Sequence, residues 1–143
     1  MKVKEVMTKK VEMIRSDAMI SEATRLMKSL DVGVLPVQET NKLIGVITDR
    51  DVVCRVIAAG KDPKITSVKD VMTPEVFSCS EDEDIEEAAK LMEQKRVHRL
   101  MVLNDQNKPV GIFTLSDIAV KACNEHLSWE VLEKICEPAH PNR

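Results

Sequence analysis

Two four-residue stretches carry the side chains best suited to chemistry. Thr48-Asp49-Arg50-Asp51 and Thr114-Leu115-Ser116-Asp117 each set a hydroxyl and a carboxylate three residues apart, after Gly45-Val46-Ile47 and Gly111-Ile112-Phe113. Where a strand turns into a helix, that spacing puts both groups beside backbone N–H groups that favour anions. A carboxylate accepts from two neighbouring hydroxyls at once, which suits a ribose 2′,3′-diol, and each charge-assisted bond is worth about 1.5–3 kcal/mol. The threonine hydroxyl and the helix start suit a phosphate, and Gly45 and Gly111 permit close backbone approach. The same Thr-x-x-Asp pattern also describes a helix N-cap with an acidic third residue, which satisfies orphan donors with no ligand at all.

A second cluster lies near the C-terminus. Cys123-x-x-His126 and Cys136-x-x-x-His140 supply thiolate and imidazole, the ligands zinc prefers. The two pairs would have to meet across a helix running from Trp129 to Ile135, so a tail with one buried cysteine is the simpler reading. The four cysteines, Cys54, Cys79, Cys123 and Cys136, form no C-x-x-C pair, which points to reduced thiols. No cysteine has a recognisable activating partner, and neither Gly-x-Ser-x-Gly nor a Walker-type loop occurs, so no enzyme activity is expected. The acidic run Glu81-Asp82-Glu83-Asp84 reads as a complement to a helix dipole rather than a cation site.

Composition limits the setting of these groups. The chain has 143 residues, 21 Lys+Arg against 24 Asp+Glu, 43% hydrophobic and 2% aromatic residues, and a formal net charge of -3. That length buries about two-thirds of the unfolded surface, enough to fold without disulfides or a structural metal. No apolar run approaches the roughly 18 residues of a membrane span, and the N-terminus lacks a signal-peptide pattern, so the expected compartment is the cytoplasm with no membrane partner. With Phe77, Phe113 and Trp129 as the aromatics and an acidic balance, nucleic acid is not an expected partner.

The elements that must position the two Thr-x-x-Asp stretches come from a duplication. A shift of 65 lays Val3-Lys4-Glu5-Val6-Met7-Thr8 over Val68-Lys69-Asp70-Val71-Met72-Thr73, and 15 of 37 positions match between residues 1–37 and 66–102. After one inserted residue near Asn104 the shift becomes 66. Each copy reads as a short strand near Val11 or Val76, a helix opened by Ser16-Asp17 or by Ser80-Glu81-Asp82-Glu83, two strands, and a second helix. Ile20, Ala23, Met27 and Leu30 give the first helix one apolar face, as Ile85, Ala88, Ala89 and Met92 do in the second copy. The paired strands are expected at Val32–Val37 with Leu43–Ile47, and at Val97–Leu103 with Val110–Phe113. The following helix should run from about Asp51 to Ala59 and stop at Gly60. Ser128 is the expected cap of a short terminal helix with an apolar stripe at Val131, Leu132 and Ile135.

The expected organisation is therefore copy one at 1–65, copy two at 66–127, and a C-terminal helix and tail at 128–143. The fold class is α+β, with two β-α-β-β-α repeats packed sheet to sheet about a pseudo-twofold axis, because one copy of roughly 60 residues has too small an apolar face to stand alone. Such packing predicts paired clefts lined by equivalent residues.

The Val-Met-Thr opening, the Leu/Met-rich helix and the Gly-hydrophobic-hydrophobic-Thr-x-x-Asp ending resemble the CBS domain, named after cystathionine β-synthase, over residues 3 to about 122. The two copies together resemble a CBS pair, or Bateman module, and the tail is similar to that of stand-alone two-CBS proteins of the bacterial hypoxic-response type. The resemblance implies a non-enzymatic sensor that needs no cofactor and binds an adenosine-containing ligand, such as AMP, ADP, ATP or S-adenosylmethionine, in the clefts between repeats. By position it assigns Asp51 and Asp117 to ribose, Thr48 and Thr114 to the polar rim, and Arg50 to phosphate, with Ser116 in the matching place of the second copy. Val97-His98-Arg99-Leu100 resembles the strand from which some adenylate-binding pairs reach phosphates, which adds His98 and Arg99; the first copy has Val32-Gly33-Val34-Leu35 there. It also implies a homodimer through the CBS helices and an effector protein that reads the signal. The competing reading is a dimerisation or partner-binding module without a nucleotide, and a third is metal binding by the Cys123, His126, Cys136 and His140 cluster.

Overall fold

The computed structural model describes residues 1–9 and 11–137. The chain forms two compact units, one joining Met1–Lys9 to the chain from Phe77 onward and the other comprising Lys10–Val76. The units do not follow the repeat boundary at 65/66. Each is the body of one copy completed by the opening segment of the other.

The unit at 10–76 contains β1 (Ile14–Arg15), α2 (Ile20–Leu30), β2 (Val34–Glu39), β3 (Lys42–Thr48), α3 (Asp49–Val52) and the helical turn α4 (Val68–Val71). Its three strands run in the order β1-β2-β3, with β1 parallel and β3 antiparallel to β2. Thr40 and Asn41, both at positive φ, make the tight turn between β2 and β3. The other unit opens with the turn α1 (Val3–Val6) and repeats the plan with β4 (Ser78–Ser80), α5 (Ile85–Lys95), β5 (Arg99–Leu103) and β6 (Pro109–Thr114), in the order β4-β5-β6. It ends with α6 (Glu125–Cys136). A one-residue irregularity after Val37 recurs after Val102, so the duplication extends to the register of the hairpins.

Each unit has its own core. Ile20, Ala23 and Met27 of α2 meet Leu35, Val37 and Ile47 of the sheet together with Val68 and Val71 of α4. Ile85, Ala88, Ala89 and Met92 of α5 meet Leu100, Val102 and Phe113 together with Val3 and Val6 of α1. Leu127, Val131 and Ile135 of α6 close the second core, whereas Leu132 stays partly exposed. Among the described residues, no helix is long and apolar enough to cross a membrane.

Several local expectations are corrected. The first strand of each copy lies at Ile14–Arg15 and Ser78–Ser80 rather than near Val11 and Val76, because parallel pairing with β2 and β5 sets its position. Ser16-Asp17 and Ser80–Glu83 do not cap the first helices, whose N-cap residues are Met19 and Asp84 with no side-chain cap. Instead, the N–H of Ile20 donates to Thr66 O at 2.9 Å and that of Ile85 to Met1 O at 3.1 Å, so the opening segment of the other copy closes the helix start. The terminal helix begins at Glu125, where the Asn124 carboxamide accepts from Leu127 N at 3.0 Å; Ser128 sits one turn inside. Gly60 takes the left-handed φ of +73° expected of a terminator.

Candidate functional site

The strand-to-helix corner of each copy is built in the same way. In the 10–76 unit, β3 ends at Thr48, and α3 begins with a reciprocal cap: Asp51 N donates to the Thr48 hydroxyl at 3.1 Å and Thr48 N donates to the Asp51 carboxylate at 3.0 Å. The purely structural reading of Thr-x-x-Asp is therefore satisfied. The carboxylate does more than cap. The Thr73 hydroxyl donates to Asp51 Oδ1 and Oδ2 at 3.0 and 3.1 Å, and the Arg55 guanidinium lies 3.7 Å from Oδ1. Asp51 is only 6% exposed.

In the other unit Asp117, 3% exposed, accepts from Thr114 N at 2.9 Å and from the Thr114 hydroxyl at 3.0 Å. Thr8 donates to its other oxygen at 3.2 Å, and Lys121 Nζ lies 3.0 Å away. A π-helical turn follows each carboxylate, at Val53–Ile57 and at Asp117–Lys121. Arg55 and Lys121, each four residues after its aspartate, stand on the same helix face as the carboxylate.

The glycines explain how the partner threonines reach the corner. A Cβ on Gly45 would lie 2.6 Å from Thr73 O, and one on Gly111 would lie 2.6 Å from Met7 Sδ and 3.0 Å from Thr8 O. Their absent side chains admit the Val-Met-Thr segment of the other copy, which bridges to the strand through Val46 N to Thr73 O and Thr8 N to Ile112 O, at 2.8 and 2.9 Å. In this structure the close approach expected at these glycines is made by the protein itself, by the Thr73 backbone at Gly45 and by the Met7 side chain with the Thr8 backbone at Gly111.

The remaining expected residues surround these corners unevenly. Arg50 and Ser116 are exposed, and the backbone N–H of Arg50 donates to the Asp49 carboxylate at 2.9 Å. Arg99 is the cross-strand partner of Thr114 and is exposed, which brings a cation to the rim of the second corner. Its counterpart across from Thr48 is the buried Val34. His98 precedes β5, is exposed, and accepts Leu115 N on its carbonyl at 3.0 Å.

Thr8, Thr73, Arg55 and Lys121 were not singled out from sequence. The signal was present, since Thr8 and Thr73 are equivalent under the shift of 65 and Arg55 and Lys121 under that of 66. The C-terminal cluster does not assemble among the described residues: no group of three His, Cys, Asp or Glu side chains there is placed to hold a metal ion. His126 instead points Nε2 at Glu130, 3.1 Å away, Cys123 and Cys136 are exposed thiols, and His140 lies outside the described residues.

Comparison with known proteins places this architecture. The CBS domain matches residues 3–57 and again 68–122. The chain belongs to the CBS-domain family. As a CBS pair it is 38% identical over 133 residues to the CBS domain-containing protein YhcV of Bacillus subtilis, covering 93% of this chain and 94% of that one. It is 40% identical over 118 residues to the inosine-5'-monophosphate dehydrogenase of Methanocaldococcus jannaschii, covering 82% of this chain and 23% of that enzyme. The crystal structure of Hypoxic Response Protein I with two coordinated zinc ions superimposes with a TM-score of 0.70 at 28% identity, covering 83% of this chain and 97% of that chain. Both CBS copies carry the corner described above.

Proposed function

We propose that this CBS pair is a non-enzymatic sensor that binds an adenosine-containing ligand, such as AMP, ADP or ATP, at its Thr-x-x-Asp corners. The observation that carries this reading is a buried carboxylate that accepts a threonine hydroxyl of the opening segment and has a cation four residues on, repeated in both copies. A ribose diol supplies the same hydroxyl donors that Thr73 and Thr8 now supply, so ligand and opening segment address one carboxylate. Arg50 and Arg99 are exposed at the rim, in reach of solvent and suited to a phosphate.

A thermal-shift panel of AMP, ADP, ATP, S-adenosylmethionine and NADH tests the reading. At a hundredfold excess over Kd, saturation adds about 2.7 kcal/mol, which corresponds to a rise in Tm of roughly 5–10 °C. A folded protein that responds to none of them contradicts the proposal and favours the second reading, a dimerisation or partner-binding module. That second reading is supported by the reciprocal caps, which satisfy both carboxylates internally.

The proposal includes a homodimer formed through helix faces, supported by the exposed apolar side chains Val53 and Ile57 in one unit and Val120 and Trp129 in the other. Light scattering on the purified chain measures it directly. Four free cysteines support a reducing cytoplasmic setting.

A further inference from the structure

An ionised carboxylate offers about four lone-pair positions to donors, and the two aspartates fill theirs differently. Asp51 accepts Thr48 N at 3.0 Å and one hydroxyl hydrogen of Thr73, shared between its oxygens at 3.0 and 3.1 Å. Arg55 stands 3.7 Å off, beyond hydrogen-bond reach, because its Nη1 donates to Val71 O and Met72 O at 3.1 and 3.0 Å. Among the described residues, these donors leave two acceptor positions of Asp51 without a protein partner.

Asp117 receives three hydrogen bonds and a close ion pair. Thr114 N and the Thr114 hydroxyl donate to Oδ2 at 2.9 and 3.0 Å and the Thr8 hydroxyl to Oδ1 at 3.2 Å, while the Lys121 ammonium forms an ion pair with Oδ1 at 3.0 Å. Lys121 also donates to Thr8 Oγ1 at 3.2 Å, which leaves that hydroxyl's own hydrogen for Asp117. One exchange in the repeat underlies the contrast. The planar guanidinium of Arg55 reaches past the carboxylate to two carbonyls, whereas the compact ammonium of Lys121 rests on the carboxylate itself.

We propose that Lys121, with Thr8, is an internal occupant of the Asp117 carboxylate, so that the chain takes one adenosine ligand, its ribose diol on Asp51. Lys121 is then the residue that sets stoichiometry. This rests on the adenosine-ligand reading and goes beyond it by assigning the occupied corner. A diol at Asp51 adds donors to open positions; at Asp117 it must first break an ion pair.

Isothermal titration of the full chain with AMP, ADP and ATP tests the assignment. One equivalent per chain is expected, weakened at least tenfold by Asp51→Asn. Lys121→Ala should add a second equivalent and should restore one equivalent in the Asp51→Asn background; Lys121→Met, which keeps the aliphatic stem, serves if the alanine variant does not fold. Two equal equivalents in the unaltered chain, full affinity in Asp51→Asn, or no gain from the Lys121 variants would overturn the assignment and leave the nucleotide reading standing. No heat with any of the three nucleotides, in the unaltered chain and the Lys121 variants alike, overturns the nucleotide reading itself and this assignment with it.

Discussion

The Thr73 hydroxyl donates to both carboxylate oxygens of Asp51, at 3.0 and 3.1 Å, across 22 positions of chain. Among the described residues it is the one hydroxyl that donates to that carboxylate, whereas Asp117 accepts from the hydroxyls of Thr8 and Thr114 and is paired with Lys121. Thr73→Val should therefore cost more than Thr8→Val. Leaving a buried carboxylate short of a donor costs about 1–3 kcal/mol, and urea denaturation of the ligand-free variants reads the difference. Equal losses, or the reverse order, would contradict this donor count.

Gly45 and Gly111 differ in what a methyl group would strike. At Gly45 the nearest obstacle is the Thr73 carbonyl at 2.6 Å, a backbone atom fixed by its bridge to Val46. At Gly111 it is Met7 Sδ at 2.6 Å, the movable part of a flexible side chain, with backbone at 3.0 Å. Gly45→Ala should destabilise by about 2–3 kcal/mol and Gly111→Ala by about half as much, on the scale of overpacked sites. Thermal denaturation distinguishes them.

Much of this architecture was legible in the sequence. The shift of 65 exposes the duplication, and the apolar spacing of Ile20, Ala23 and Met27 locates α2 with its buried face. What escaped is set by partners distant in the chain. Ile14 pairs with Val37, so β1 lies three residues beyond Val11, and the start of α2 is closed by Thr66 O, so Ser16 is free to bond Glu39 instead. Thr48 and Asp51 were recognisable as neighbours on one turn. Thr73 was not assigned to them, because alignment of the copies pairs it with Thr8 and says nothing of which copy's carboxylate each hydroxyl meets.

Thiol chemistry offers a clean check on packing. Cys54, Cys123 and Cys136 are exposed, whereas Cys79 is buried on β4 and burial, reinforced by the nearby Glu83, pushes its thiol up to about 12. Cys79 therefore stays protonated through the neutral and mildly alkaline range, and the thiolate is the reactive form. A disulfide-exchange reagent should modify three cysteines quickly in the native protein and the fourth only on unfolding. Rapid modification of all four would contradict the burial of β4.

Two exposed ion pairs give a modest acid sensitivity. A hydrogen bond from Lys69, aided by its charge, holds Glu39 below its ordinary 4.5, and Lys4 does the same for Asp82 below 3.8. Their contribution is complete above those ordinary values and fades as pH falls through the lowered ones. The lysines are raised above 10.5, so their side of the contribution is complete below that value and is lost as pH rises through the raised ones. Combining Glu39→Gln with Asp82→Asn should flatten the acid limb of a Tm-against-pH curve at low salt, and high salt should shrink the difference. An unaltered acid limb would show that these pairs add nothing.

The exchanged opening segments carry a consequence for how the molecule can be divided. A cut at the boundary that alignment suggests would strip Thr73, Val68 and Val71 from the first hairpin's unit and leave Thr8, Val3 and Val6 on the wrong fragment. The smallest piece with a whole core is staggered, running from about residue 10 to 76. An ancestral single copy would have faced the same shortage, and could complete itself only by folding its own leader back or by borrowing one from a sister molecule.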